Sequence, residues 1–172
     1  GATAFFILWT FVFAPYQKAR IETFINPLAD IQGVGYNAYQ STIAVGSGEF
    51  FGKGVGYGTQ SRLKFLPEYE TDFIFAAFAE EWGFVGVLIL MLCFFVLFAC
   101  ILREARRGAT NFETLFAIGV ALMLAVPSII HVGMNVGVLP VTGTVLPFVS
   151  YGGSHLVVEF LALGMLSGMR ST

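Results

Sequence analysis

Asp72 stands at the head of a long apolar run, directly behind Phe65-Leu-Pro67-Glu68-Tyr-Glu70-Thr71. A carboxylate at such a boundary has two readings. It can serve as a general base or metal ligand in a partly dry site, or it can be a helix N-terminal charge favoured by the macrodipole, with Thr71 or Asp72 itself capping. Glu80 follows eight residues later, about 80° round a helix from Asp72, while Glu81 falls on the opposite side. One of this pair can share a cavity with Asp72; the alternative is that both mark a shallow interface. His155 and Glu159 are spaced i,i+4 and face each other, which favours mutual pairing over a metal or proton-relay role. His131, alone among apolar residues, reads as a hydrogen-bonded core histidine rather than a ligand.

Two further segments have backbone character of their own. Gly46–Gly58 holds six glycines in thirteen residues, with Lys53 inside. A Walker loop would need Gly at 47, where Ser47 stands, and Ser or Thr after Lys53, where Gly54 stands. The run therefore reads first as a loop packed on itself by small residues, and second as N–H groups and Lys53 turned toward an anion. Lys53, Arg62 and Lys64 have two readings, cations that meet an anionic group such as a pyrophosphate or cations that solvate the loop, and a single surface lysine favours the second. The stretch Leu139–Ser154 is apolar but broken by Pro140, Gly143, Pro147, Gly152 and Gly153, so it cannot be one helix. Irregular backbone at membrane depth needs protein around it or a wet cavity beside it. A re-entrant wall follows, with the hydroxyls of Thr142, Ser150, Tyr151 and Ser154 turned into that cavity.

The elements that carry these residues are set by composition. Of 172 residues, 56% are apolar and 12% charged, with net charge −2 and a mean hydropathy of +0.78. Disorder, an ordinary soluble domain and a nucleic-acid-binding field are excluded by those values. Cys93 and Cys100 lie two helical turns apart, about 10 Å, and cannot bridge. The pattern is that of an all-α polytopic membrane protein forming a single membrane unit over 1–172. Spans are expected at about 2–14, 73–102, 113–138 and 154–170, with outer loops 15–71 and 139–153 and a cytoplasmic loop 103–112. Arg103, Arg106 and Arg107 put that short loop in the cytoplasm, and Arg170 agrees. The first span is too short to cross and reads as a helix begun upstream. In the long outer loop, Ile21–Phe24 reads as a short amphipathic piece and Tyr36–Val45 as a surface helix.

These segments, in order, resemble the SEDS family, to which RodA and FtsW belong. The wording that carries the resemblance runs through Asn26-Pro27, Gly35-Tyr36-Asn37, Gln40-Ser41, Gly46-Ser-Gly48, Gly52-Lys53-Gly54, Gly58-Thr59-Gln60-Ser61, Thr71-Asp72-Phe73, Glu80-Glu81-Trp82, Asn135, Leu139-Pro140-Val-Thr142-Gly143 and Leu146-Pro147-Phe-Val-Ser150-Tyr151-Gly152-Gly153-Ser154. Its glycine and Glu-Glu-Trp segments look more like RodA than FtsW. The resemblance implies the C-terminal half of a peptidoglycan glycosyltransferase that polymerises lipid II for cell elongation or division. It implies a class B penicillin-binding protein as partner, a bacterial cytoplasmic membrane location with the site on the outer face, and Asp72 as general base. It further suggests Lys53, Gln60, Glu80, Glu81, Thr142, Ser150, Tyr151, Gly152, Gly153 and Ser154 as substrate-cavity candidates. A divalent cation, Mg²⁺ or Mn²⁺, could offset pyrophosphate charge; no organic cofactor and no nucleic-acid partner are implied, and no metal residues are assigned. Within the resemblance, Glu70 stands where the family usually has His, His131 where Gln is common, and His155 and Glu159 where small or neutral residues are expected. The competing functional classes are a lipid-linked precursor flippase and a non-catalytic cell-shape or division scaffold.

Overall fold

The structure is a computed structural model that describes residues 14–25, 34–59 and 70–169. The expected span at 2–14, apart from Ala14, and the candidate Gln60 lie outside the described residues, as do Arg62, Lys64 and Arg170. Among the described residues five helices run in chain order: α1 Pro15–Ile25, α2 Val34–Ser47, α3 Ile74–Arg107, α4 Asn111–Asn135 and α5 Gly153–Met169. Pro15 opens α1, a position where its missing N–H costs nothing, so this helix begins well before the expected Ile21. The surface helix expected at Tyr36–Val45 is α2, longer by two residues at each end.

α3 and α4 are long and apolar enough to cross a membrane, and α5 is a shorter apolar helix. α3 is broken at Gly83, whose φ of 66° and ψ of −168° are not helical. The continuous part after the break is roughly 36 Å long, enough for the roughly 30 Å hydrocarbon core. α3 also continues through Arg103, Arg106 and Arg107, so only Gly108–Thr110 joins it to α4 in place of the expected ten-residue loop. Arg106 and Arg107 complement the helix C-terminus electrostatically, which explains the continuation. α4 stops at Asn135, three residues before the expected 138, because Gly137 turns left-handed at φ 76° and the Val138 and Leu139 N–H groups fold back onto the Gly133 carbonyl.

Thr110 caps α4 by accepting from the Glu113 N–H at 3.3 Å, while the Glu113 carboxylate accepts from the Ala109 N–H at 2.8 Å. Thr110→Ala is expected to lower stability by about 1 kcal/mol, read as a lower midpoint in thermal unfolding of the detergent-solubilised protein.

The core lies where α3, α4 and α5 meet: Ile101 and Ala105, then Ala117, Val120, Ala121 and Leu124, then Ala162 and Leu166. Four of these eight are alanines, whose small side chains let helix backbones approach where van der Waals packing, not water exclusion, drives association. The opposite faces carry exposed Leu88, Leu92, Phe95, Leu122, Ile129, Phe160 and Leu161, as expected of surface that meets lipid.

Candidate active site at the head of helix α3

Asp72 lies in the turn that leads into α3. Three consecutive carbonyls there are held from other elements. Glu70 O accepts from the Tyr151 N–H at 2.9 Å, Thr71 O from the Ser150 hydroxyl at 2.9 Å, and Asp72 O from the Asn135 amide at 3.2 Å. Asn135, fully buried at the end of α4, also donates to His131 O at 2.8 Å. Its Oδ1 accepts from the Ala76 N–H at 3.3 Å and the Ser41 hydroxyl at 3.1 Å. Ala76 is the third residue of α3, so Asn135 satisfies from another helix the N–H an N-cap side chain would serve. Capping by Thr71 or Asp72 is thereby corrected: the cap position is Phe73 and it has no side-chain cap. Gly143, at φ 72°, borders the carboxylate; a Cβ there would stand 3.4 Å from Asp72 Oδ2.

Glu80 is fully buried, and its Oε1 is surrounded by donors. Lys53 Nζ lies 2.7 Å away, and Thr59 donates through both N–H and hydroxyl at 2.8 Å. Lys53 also donates to the Thr59 hydroxyl at 2.9 Å. The glycine loop is further stitched to α3 by backbone bonds from Lys53 N–H to Glu80 O and Gly54 N–H to Glu81 O, both 3.0 Å, and from Phe84 N–H to Glu49 O at 2.9 Å. Gly48 and Gly52 sit directly on the α3 carbonyls of Ala79 and Glu81. The packed-loop reading of Gly46–Gly58 therefore holds. Lys53 keeps 30% of its side chain exposed while its ammonium neutralises Glu80, so it is both part-solvated and paired. Lys53→Met is expected to destabilise by about 2 kcal/mol or more because it strands a buried carboxylate, and Lys53→Met with Glu80→Gln should recover part of that loss in a double-mutant cycle of unfolding midpoints.

The segment between α4 and α5 is irregular, as its prolines and glycines predict, and buries Leu146, Pro147 and Ser150. Ser150 accepts from the Leu146 N–H at 2.8 Å while donating to Thr71 O, so its hydroxyl is spent inside the protein. His131, fully buried, donates from Nδ1 to Thr144 O at 2.7 Å, the expected core histidine. Its Nε2 has no hydrogen-bond partner among the described residues.

A family model described as "Cell cycle protein", covering FtsW, RodA and SpoVE, matches residues 2–172. The chain belongs to the SEDS family. It is 46% identical over 165 residues to peptidoglycan glycosyltransferase MrdB of Escherichia coli K12, covering 96% of this chain and 45% of that protein. It is 44% identical over 155 residues to stage V sporulation protein E of Bacillus subtilis, covering 89% of this chain and 42% of that one. Its fold matches a chain from the structure described as "Structural coordination of polymerization and crosslinking by a peptidoglycan synthase complex", with a TM-score of 0.76 and 30% identity, over 99% of this chain and 47% of that chain. The chain thus spans about half the length of the relatives it matches.

On this SEDS fold the residues that the sequence singles out fall in different places. Asp72, Ser150 and the backbone of Tyr151 come together with Gly143 at the head of α3. Glu80 and Lys53 form a separate structural knot, and Glu81 contributes its carbonyl to the same loop. Ser154 borders a cavity of about 270 Å³ with Met123, His155, Val158 and Glu159, while Thr142 is exposed and packs its hydroxyl 3.9 Å from the Met134 sulfur. The expectation that four hydroxyls share one cavity fails at Ser150, which is turned inward onto Thr71. Tyr151 is exposed, and Gly152 and Gly153 lead into α5. Asn135 and Ser41 hold the site without being legible as site residues in the sequence. The available signal was an amide in a stretch of α4 without formal charges, which must face the protein interior.

Proposed function

We propose that this chain carries the polymerisation site of a peptidoglycan glycosyltransferase, with Asp72 as general base. The supporting observation is the triple clamp on the Glu70, Thr71 and Asp72 carbonyls, which fixes the backbone carrying a carboxylate beside the left-handed turn at Gly143. The names of the relatives supply the chemistry: MrdB is a peptidoglycan glycosyltransferase.

In this reading the substrate is lipid II. An acceptor sugar hydroxyl attacks the anomeric carbon of the donor, a C–O bond forms there, and the bond to the undecaprenyl pyrophosphate breaks. Asp72 takes the hydroxyl proton as attack proceeds, and the pyrophosphate leaves with the electron pair. Holding the base rigidly matters because the gain from proximity collapses with small misplacement. The arginines at the other end of α3, Arg103, Arg106 and Arg107, support a reading in which this site lies on the outer face of a bacterial cytoplasmic membrane. The partner is a class B penicillin-binding protein that cross-links the product; a match to a chain of a peptidoglycan synthase complex supports a partnered assembly. Among the described residues no three His, Cys, Asp or Glu side chains form a closed metal cage; a divalent cation, Mg²⁺ or Mn²⁺, would be held by few protein carboxylates together with the pyrophosphate, and no step is routed through it.

The test is lipid II polymerisation by the full-length parent protein with its partner in liposomes. Glycan strands are expected. Transfer of lipid II between leaflets without strand formation would replace this reading with the flippase.

A further inference from the structure

We propose that Glu159 is a positioning residue that holds the catalytic turn through the backbone of Phe148. The inference rests on the reading of Asp72 as the base and extends it to a helix that does not touch Asp72.

Glu159 lies inside α5, is 1% exposed, and directs its two carboxylate oxygens to different tasks. Oε1 faces Nδ1 of His155, one turn earlier, at 2.5 Å. Oε2 accepts from the Phe148 N–H at 3.0 Å. Phe148 is one of two non-glycine residues at positive φ among the described residues, 61°, a conformation that a bulky side chain adopts only under external constraint. It occupies the middle of a tight turn: the Val149 and Ser150 N–H groups bond to Leu146 O at 3.2 and 2.9 Å, and the Leu146 N–H bonds to the Ser150 hydroxyl. That hydroxyl then donates to Thr71 O, and the next residue, Tyr151, donates to Glu70 O.

The path from Glu159 to the residues before Asp72 therefore consists of hydrogen bonds and one turn. Inside an apolar helix a carboxylate is costly unless it has work and a partner, and His155, partly exposed, supplies the partner. The work is to satisfy the one N–H that the left-handed residue turns away from its own loop. Without that acceptor the part-buried donor is orphaned and the turn loses the constraint that keeps Phe148 at positive φ. Ser150 and Tyr151, which clamp Thr71 and Glu70, ride on the same turn.

Glu159→Leu removes the acceptor while filling the volume; Glu159→Gln keeps an oxygen for the Phe148 N–H and removes the charge. In the full-length protein with its partner, Glu159→Leu should lower kcat for lipid II polymerisation about ten-fold or more with KM little changed. It should also raise amide exchange across residues 146–151, while Glu159→Gln stays near wild type in both. Unchanged kcat or unchanged exchange in a folded Glu159→Leu overturns the proposal. If Glu159→Leu does not fold, Glu159→Gln decides: wild-type kcat and exchange support it, and a loss equal to that expected of Leu overturns it, because charge rather than the hydrogen bond would then matter. Asp72→Asn measured alongside separates the two levels. Full activity in Asp72→Asn removes the reading of the base, whereas the exchange result continues to test the latch.

Discussion

Gly83→Ala is expected to prevent stable folding, with a cost of about 4 kcal/mol or more, the largest stability effect foreseen for any single methyl in this chain. Two independent penalties add at this position. The backbone there has φ 66° and ψ −168°, a region open essentially to glycine alone. A Cβ would also run into backbone, meeting the Gly52 nitrogen and the Phe50 and Phe51 carbonyl carbons, none of which can rotate away. The break is what lets the first part of α3 turn its Glu80 and Glu81 carbonyls toward the glycine loop, where Lys53 and Gly54 bond to them. Relaxing Gly83 into the helix would therefore dismantle the loop as well. The check is the unfolding midpoint and folded yield of the detergent-solubilised protein against Gly119→Ala and Gly164→Ala, helical glycines with nothing within 4 Å of a new Cβ. Those controls should be neutral or slightly stabilising, by up to about 1 kcal/mol. A Gly83→Ala protein as stable as the controls would mean that the break is not required.

The helices were legible in the sequence because charge-free stretches and their arginine borders are strong signals, and the i,i+4 spacing of His155 and Glu159 fixed that pair without any tertiary information. Other features were not legible. The Gly83 break leaves no trace in hydropathy, since a glycine inside an apolar run is ordinary in a membrane helix. The role of Lys53 depends on a contact with Glu80 across 27 positions, which no local pattern encodes. Asn135 could be placed inside the bundle by its polarity, but its partners, Ser41, Ala76 and Asp72, come from α2, α3 and the turn that leads into α3. The Pro- and Gly-broken sequence around Ser150 predicts a cavity hydroxyl, yet Ser150 closes its own turn and holds Thr71. For Lys53, Asn135 and Ser150 the sequence names a polar residue, and the fold decides whether its chemistry faces substrate or faces the protein.

Asp72→Asn carries the largest expected effect on activity. The substitution keeps size and shape, and the bonds from Tyr151, Ser150 and Asn135 to the main-chain carbonyls at 70, 71 and 72 stay in place. The geometry around the site should therefore survive while the capacity to accept a proton is lost, at a cost of about 100-fold or more in rate. A transporter or scaffold has no such requirement, so the same variant separates the three functional classes. The decisive measurement is the initial rate of lipid II polymerisation by the full-length protein with its partner, wild type against Asp72→Asn at matched folded protein. A loss of about 100-fold or more with an unchanged unfolding midpoint is the result predicted; polymerisation by Asp72→Asn at the wild-type rate would contradict the assignment of Asp72 as the base.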